Sequence, residues 1–171
     1  STDAFVAKFG PTGTHLWSRL FGDASGQSAN AVATDISGNV IVVGSLGGSV
    51  DFGGGTLTSS GGSDIFAAKF DPDGEYLWSR RFSDGMEKAA RADAVDASSN
   101  VIGEGHFDGS VDFGDGGITS SGNEDAFVTK LSSAGNTIWS RSCGGVDRQF
   151  AQGVAVASSG NILVTGYFSG V

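Results

Sequence analysis

The sequence predicts an all-β chain built of stacked four-stranded antiparallel sheets, and three observations support that prediction. One pattern of 61 residues occurs three times, each copy contains four short apolar runs, and turn residues separate the runs. Helix periodicity is absent from the sequence. The 29 glycines and two prolines are spread along all 171 residues, which is typical of tight turns between short strands rather than of a flexible linker.

Two motifs that return at the same interval define the repeat. A Trp-Ser-Arg motif and an Asp-x-Phe motif each occur three times, 61 residues apart, and the first two copies are identical at more than half of their positions without a gap. We therefore treat residues 1–171 as one domain with copies at 3–63, 64–124 and 125–171, the last copy being about a quarter short. We expect Trp17, Trp78 and Trp139 to lie in equivalent, largely buried sites between neighbouring sheets.

The apolar runs also predict where the strands lie. In the first copy the predicted strands are Ala4–Phe9, His15–Phe21, Ala29–Asp35 and Val40–Leu46. Short turns with glycine or asparagine join the first strand to the second and the third to the fourth, as expected for hairpins, because those residues adopt positive φ at low cost. The connection Gly47–Ser63 is longer, and we expect it to form a small excursion of its own.

Four antiparallel strands with apolar residues on both faces suit a sheet that is sandwiched between two similar sheets, and such a stack closes into a propeller. The motifs Asp3–Lys8, Leu16–Ser18 and Asp35–Asn39, with the Val-Gly that follows, resemble those of the bacterial seven-bladed β-propeller repeat family. The resemblance covers the whole chain. It implies a bladed fold in an extracellular or cell-surface bacterial protein, and it implies no particular ligand.

Strand order predicts how the two ends of the stack relate to each other. If the strands of a blade are labelled A to D outward from the axis, each copy begins with C and D and continues with A and B of the next blade. The chain then holds two whole blades and two complementary half-blades. Three blades do not surround an axis, since propellers have typically four to eight. Either the native chain is longer, or two chains associate head to tail in a six-bladed ring; a ring of three chains is a less usual size.

Composition excludes several classes of partner. Ten basic and 19 acidic side chains give a formal charge of −9, so the surface repels nucleic acid. No apolar run approaches the length that spans a bilayer.

The one cysteine, Cys143, has no partner for an internal disulfide. It stands at the repeat position of Phe21 and Phe82, and we expect it to be a small buried apolar residue.

Variable loops on a rigid scaffold often carry binding, and the connections from strand D to strand A differ most between the copies. These D–A connections lie at 23–28, 84–89 and 145–150, and they share one end of the sheets with the long B–C connections. The predicted ligand-binding residues are Glu87, Lys88, Arg91, Asp147, Arg148 and Gln149. We expect a non-enzymatic binding or scaffold module for a protein or a glycan, with a second copy of the chain as a further partner.

The residues that suggest catalysis have plainer readings. The triplet Asp51–Gly53 resembles a kinase metal-binding motif, but it recurs with the repeat and lacks the accompanying loops. Asp93 and Glu104 stand in the second copy where the first has Val32 and Val43, and His106 stands where it has Ser45. These three residues are the candidates for a hydrolase or lyase site or for a solvated channel wall. Asp71–Gly74 offers two carboxylates to calcium, but the other copies lack them. We expect no catalytic residue, metal or cofactor. A further hypothesis is a fragment or engineered chain with only an assembly role.

Overall fold

The protein is described by a computed structural model that covers residues 2–83 and 86–170. Those ranges contain sixteen strands and no helix, which confirms the predicted all-β class. The described residues accordingly include no helix that could cross a membrane. The first eight strands are β1 (Ala4–Phe9), β2 (His15–Phe21), β3 (Gln27–Thr34), β4 (Val40–Leu46), β5 (Ser49–Asp51), β6 (Thr56–Thr58), β7 (Asp64–Phe70) and β8 (Tyr76–Phe82). The other eight are β9 (Lys88–Val95), β10 (Val101–Phe107), β11 (Ser110–Val111), β12 (Ile118–Thr119), β13 (Asp125–Leu131), β14 (Thr137–Cys143), β15 (Gln149–Val156) and β16 (Ile162–Phe168).

Two four-stranded antiparallel sheets form the centre of the structure, with strand orders β3-β4-β7-β8 and β9-β10-β13-β14. Each sheet combines the last two strands of one copy with the first two strands of the next copy, as the A to D order predicts. The two-stranded pairs β1–β2 and β15–β16 pack against these sheets at either end of the stack. The predicted strand bounds of the first copy are confirmed except for β3, which runs from Gln27 to Thr34 rather than from Ala29 to Asp35.

The long B–C connection forms a hairpin of its own, as predicted, because β5 pairs with β6 in the first copy and β11 with β12 in the second. Phe52 in the first hairpin is buried, and its ring centre lies 4.9 Å from that of Phe21. Asp51 Oδ1 accepts hydrogen bonds from the backbone N–H groups of Gly53 and Gly55. The Asp-Phe-Gly triplet is therefore a turn that anchors the hairpin to the core.

Both faces of each four-stranded sheet are apolar, because side chains alternate between the faces along a strand. On β4, Val40 and Val42 pack with the residues of β1–β2, whereas Ile41 and Val43 pack with the sheet that begins at β9. Burying apolar area is the main stabilising contribution in such a structure. Each sheet therefore needs a neighbour on both sides.

Each A strand contains a β-bulge that requires glycine on the neighbouring B strand. A Cβ atom at Gly44 would lie 1.9 Å from the carbonyl oxygen of Ser28. At Gly105 and Gly166, the equivalent positions, a Cβ atom would lie 2.0 Å from a backbone carbonyl oxygen. No side chain fits at these distances, which explains why glycine recurs there in all three copies.

The A–B turn contains a buried ion pair. Asp35 Oδ1 accepts hydrogen bonds from the N–H groups of Ser37 (2.9 Å) and Asn39 (3.0 Å). Asp35 Oδ2 lies 2.8 Å from Lys69 Nζ on β7, and both side chains are almost fully buried. Burial alone would raise the pKa of Asp35, but Lys69, Asn39 and the backbone amides together lower it to about 2. The turn motif is thus bound to the neighbouring strand by charge as well as by backbone geometry.

Two expected equivalences fail at one end of the stack. Trp78 is buried and Trp17 is half-buried, and each indole N–H donates to the next C–D turn at 3.0 Å, so these two sites are equivalent as predicted. Trp139 is half-buried and makes no such contact with another copy among the described residues. Cys143 is exposed, whereas we expected it to be buried like Phe82 at the same repeat position. The reason is common to both: strand β14 has a complete neighbouring sheet on one side only.

Replacing Asp35 by asparagine should lower the free energy of unfolding by about 2–3 kcal/mol at pH 7, since the change removes the charge that Lys69 faces. A pKa lowered from 3.8 to about 2 stabilises the fold above pH 3.8, and this contribution disappears as the pH falls toward 2. Chemical denaturation at several pH values measures the effect. Asp73→Asn, at an exposed turn position, is the control, and an equal loss for Asp35→Asn at pH 7 and pH 2 would contradict the electrostatic explanation.

Candidate functional site

The two ends of the sheets carry different connections. One end has the short A–B and C–D turns, and the other has the B–C hairpins and the D–A connections, which hydrogen bonds join to each other. In the first copy the N–H of Ser49 donates to Asp23 Oδ2 (2.9 Å), and the N–H of Gly47 donates to the carbonyl of Gly26 (2.8 Å). We name this second end the loop end; it consists of residues 22–26, 47–63, 86–87, 108–124 and 144–148.

Three of the six predicted ligand-binding residues lie on the loop end. Glu87 and Arg148 are exposed, and Asp147 is half-buried. Arg148 Nε lies 2.8 Å from Glu124 Oε2, without the alignment of a hydrogen bond. Glu87 belongs to the second D–A connection and the other two to the third, so these residues lie on adjacent connections of one surface. Their contact with a ligand stays a prediction.

Lys88 and Gln149 have a different role from the one predicted. Lys88 is fully buried, and its Nζ donates to the carbonyl of Met86 (3.2 Å). Gln149 Oε1 accepts a hydrogen bond from the N–H of Gly145 (2.8 Å). Gln27, at the same repeat position in the first copy, is also buried and accepts from its D–A connection. The side chain at this position bonds to the backbone of its own D–A connection, and it is buried in the first two copies and half-buried in the third.

Arg91 lies in the bulge of β9 rather than on a D–A connection. The equivalent bulge residues are polar as well: Asn30 in β3 and Gln152 in β15. Asn30 Nδ2 donates to the carbonyl of Ala90 (2.8 Å), so it reaches across to the next sheet. The bulge residues therefore form a polar position that recurs on the inner strands. The sequence contained a signal for it, because all three copies have a polar residue at this repeat position.

Asp93, Glu104 and His106 do not form one site. In the antiparallel pairing of β9 with β10, Asp93 lies opposite Gly103, whereas Glu104 lies opposite Ala92. Directly paired residues share a face of the sheet and successive residues alternate. Asp93 therefore faces the sheet of β3, while Glu104 and His106 face β15. The prediction that the three side chains cluster is therefore wrong. Counting residue pairs along the two strands from the A–B turn would have placed Asp93 on the opposite face from Glu104 and His106.

Burial disfavours the charged form of each of these three side chains and shifts its pKa accordingly. It raises the pKa of Asp93 to about 7, against the opposing effect of the backbone amides of Asp93 and Ala33. It also raises the pKa of Glu104 to about 7, with Arg91 opposing, and lowers the pKa of His106 to about 4, with Arg91 acting in the same direction. Among the described residues, neither carboxyl oxygen of Glu104 has a hydrogen-bond partner.

The environment of His106 is aromatic rather than catalytic. Its ring lies 4.6 Å from that of Phe150, which stacks on Tyr167 at 5.0 Å. In the described part of the chain His106 Nδ1 has no hydrogen-bond partner, and Glu104 does not bond to the imidazole. Within residues 2–83 and 86–170, no three histidine, cysteine, aspartate or glutamate side chains are grouped so that they could hold a metal ion.

Stacked four-stranded sheets made from one repeated unit, with variable connections at one end, indicate a propeller-like repeat protein. The comparison with curated proteins agrees: the chain is 30% identical over 114 residues to the uncharacterized WD repeat-containing protein L264 of Acanthamoeba polyphaga mimivirus. The aligned part is 60% of this chain and 8% of the viral protein, so the chain spans less than a tenth of that relative. This similarity and the repeat architecture favour a binding or scaffold module over an enzyme.

No family model matches the chain. The resemblance to the bacterial seven-bladed β-propeller repeats therefore stays a prediction from the motifs, and so does the extracellular setting that it implies.

Replacing Glu104 by valine, the residue at the equivalent position 43, should raise the free energy of unfolding by about 2 kcal/mol at pH 8. A pKa raised from 4.5 to about 7 means that the folded state loses stability as the pH rises through that range, because it must ionise a buried carboxyl. Denaturation at pH 5 and pH 8 measures the difference.

Two further variants separate charge from shape in that experiment. Glu104→Gln keeps the shape and should also gain stability at the higher pH, while Glu87→Gln, on an exposed side chain, should change nothing. A loss of stability in Glu104→Gln at pH 8 would show that the ionised carboxylate has a favourable partner and would contradict this account.

Proposed function

We propose that the chain is a non-enzymatic propeller-type binding or scaffold module that holds a protein ligand on its loop end. The observation that supports this most directly is the construction of that end. Its connections differ between copies, yet each is joined by hydrogen bonds to a neighbouring B–C connection. Each is also bound by the first side chain of the A strand, which is buried at Gln27 and Lys88 and half-buried at Gln149. A variable surface on a rigid support is suited to recognition.

A protein fits the loop end better than a glycan does. Val146 is 76% exposed and Met86 is 47% exposed, and the charged side chains Glu87 and Arg148 lie on the same two connections. Aliphatic side chains surrounded by charges are typical of protein contact surfaces. Glycan sites usually present an exposed aromatic ring, and the D–A connections at 22–26, 86–87 and 144–148 contain none.

The enzyme hypothesis receives less support. A hydrolase or lyase would need Asp93, Glu104 and His106 together, and the strand register directs Asp93 to the opposite face from the other two. Glu104 and His106 are also covered by β15, which leaves a substrate no approach to them.

A peptide ligand selected from a displayed random library would test the proposal. Titration calorimetry should show that Val146→Ser weakens binding by about tenfold or more, as expected for a contact residue near the centre of an interface. Ile36→Ser is the matched control, because Ile36 is an equally exposed aliphatic residue on the A–B turn at the opposite end.

Two results would contradict the proposal. Selected peptides that lose affinity with Ile36→Ser and not with Val146→Ser would place binding on the turn end. A glycan array that yields ligands where the peptide library yields none would identify the other class of partner.

A further inference from the structure

The same repeat positions are buried in the middle of the stack and exposed on β1. Phe5 is 66% exposed, whereas its counterpart on β7, Phe66, is fully buried. Phe9 is exposed as well, and its counterpart Phe70 is buried. Phe5 and Phe9 point away from the sheet of β3, toward the side where the middle sheets have a neighbour. An apolar face of the kind that elsewhere forms the core is open here.

The other end of the stack has a corresponding open surface on β16. Phe168 is 74% exposed, and Leu163 is also exposed. Their counterparts on β10, Phe107 and Ile102, are fully buried. One side of β16 pairs with β15, and its other edge has no partner strand among the described residues, although the counterparts β4 and β10 each pair on both sides.

The contacts between successive C–D strand pairs follow one rule. The indole N–H of Trp17 donates to the carbonyl of Pro72 at 3.0 Å, and the indole N–H of Trp78 donates to the carbonyl of Ser133 at 3.0 Å. The acceptors are equivalent residues of the next C–D turn. Below each indole lies a glycine of that turn, Gly74 or Gly135, where a Cβ atom would come within 3.0 Å or less of the ring.

An arginine two residues after each tryptophan also donates to the next C–D turn. Arg19 Nε donates to the carbonyl of Gly74, and Arg80 Nε donates to the carbonyl of Gly135, each at 3.1 Å. The next donors in this series are Trp139 and Arg141. Within residues 2–83 and 86–170, the Trp139 indole N–H has no hydrogen-bond acceptor, and Arg141 bonds only to the carbonyl of Ser140 beside it.

The acceptor that this series lacks exists at the opposite end of the same chain. The turn between β1 and β2 contains Pro11 and Gly13, at the repeat positions of Pro72 and Gly74. Gly13 has the same positive φ as Gly74, 83° against 81°, and no atom lies within 4 Å of a Cβ built on it. The two open ends of one chain are therefore complementary in shape and in hydrogen-bonding groups.

We propose that a second copy of this chain covers both ends, with β1 of one copy pairing with β16 of the other. The pairing follows the register of β4 with β7 and of β10 with β13, so Gly166 faces Phe5 of the second copy and Ile162 faces its Phe9. Trp139 then donates to the carbonyl of Pro11 of the second copy. Both sheet edges gain a backbone partner, which removes an aggregation hazard.

Two such seams close a ring of six blades. Each chain contributes two whole blades and one half of each seam blade, and six lies within the usual size range of propellers, whereas three blades leave the axis open. Two grooves mark the seam surfaces. One of about 250 Å³ lies beside Phe5, Val32 and Val42, and one of about 520 Å³ lies beside Cys143, Phe150 and Tyr167.

The mass in solution and one pair of matched variants test the proposal. Light scattering at micromolar concentration should give twice the chain mass of 17.2 kDa. Trp139→Ala should raise the dissociation constant of the dimer by roughly thirtyfold or more, as for a hot-spot tryptophan. Trp17→Ala removes the same contact within one chain, so it should lower the melting temperature of the chain and leave the dissociation constant nearly unchanged.

The single thiol reports on the seam independently of folding. Cys143 is exposed in one chain, and in the ring it meets Phe9 of the second copy, as Phe21 meets Phe70 at 5.4 Å. A thiol reagent should therefore modify it at least about tenfold more slowly in the wild-type dimer than in Trp139→Ala or after dilution below the dissociation constant. Unfolded chain gives the reference rate.

A gain of affinity is also expected from one designed change. Lys69 pairs with Asp35 and Lys130 pairs with Asp96, each at 2.8 Å, but the third copy has Ala157 where the others have aspartate. Ala157→Asp should tighten the dimer because Lys8 of the second copy takes the place of those lysines. Adding Lys8→Gln should cancel the gain, as a double-mutant cycle across the two chains measures.

Several outcomes would overturn the proposal. A stable monomer would mean that the open ends are covered by something other than this chain. A trimer or an open polymer would show that the seam forms without closing at six blades. A dimer in which Cys143 reacts at the rate of unfolded chain, or in which Trp139→Ala and Trp17→Ala have equal effects on dissociation, would place the interface elsewhere.

Discussion

A sheet with apolar side chains on both faces has to be covered on both faces, and this constraint governs the rest of the structure. Ile41 and Val43 point to one side of β4 and Val40 and Val42 to the other, and both sets are buried by neighbouring strands. Because successive copies carry the same pattern, the face that one sheet presents fits the opposite face of the next. Each further copy therefore covers the open face of the sheet before it and presents an equivalent open face of its own.

Sequence reasoning predicted the features that depend on a period. The strands, the short turns and the excursion of the long connection all return every 61 residues, and a pattern repeated three times is strong evidence for each of them. Turn chemistry is local, so Asp35 and Asn39, four residues apart, shape one A–B turn by hydrogen bonds to each other. These elements follow from short-range rules.

Predictions that needed three-dimensional position were less successful. Asp93 and Glu104 were grouped because both interrupt apolar strands, but the face on which each lies depends on strand pairing. Lys88 was taken as a surface residue because it is charged, yet its repeat position is the one that closes a connection from within. Cys143 was expected to be buried by analogy with Phe82, and it is exposed because no complete sheet follows β14. In each case the outcome depended on which strands and sheets surround the residue, and the residue type alone does not give that information.

Assembly and binding are connected by the geometry of the repeat. The first two copies place the D–A connection and the B–C hairpin at the same end of the sheet, so a ring of two chains running in the same sense would present two equal loop ends on one side. A bivalent surface of this kind gains avidity for a ligand that can reach both positions. Polar residues in the bulges, Asn30, Arg91 and Gln152, lie on the inner strands.

Amide hydrogen exchange at the strand edges tests whether both open edges of the stack are covered in the native protein. The outward-pointing amides of β1 and β16 have no partner strand among the described residues of one chain, so they should exchange as fast as amides of an exposed loop if the edges are free. If a second copy covers both edges, these amides are protected to the same degree as those of β4 and β7, where equivalent residues pair. Rapid exchange along β1 and β16 at concentrations that protect the middle strands would contradict it.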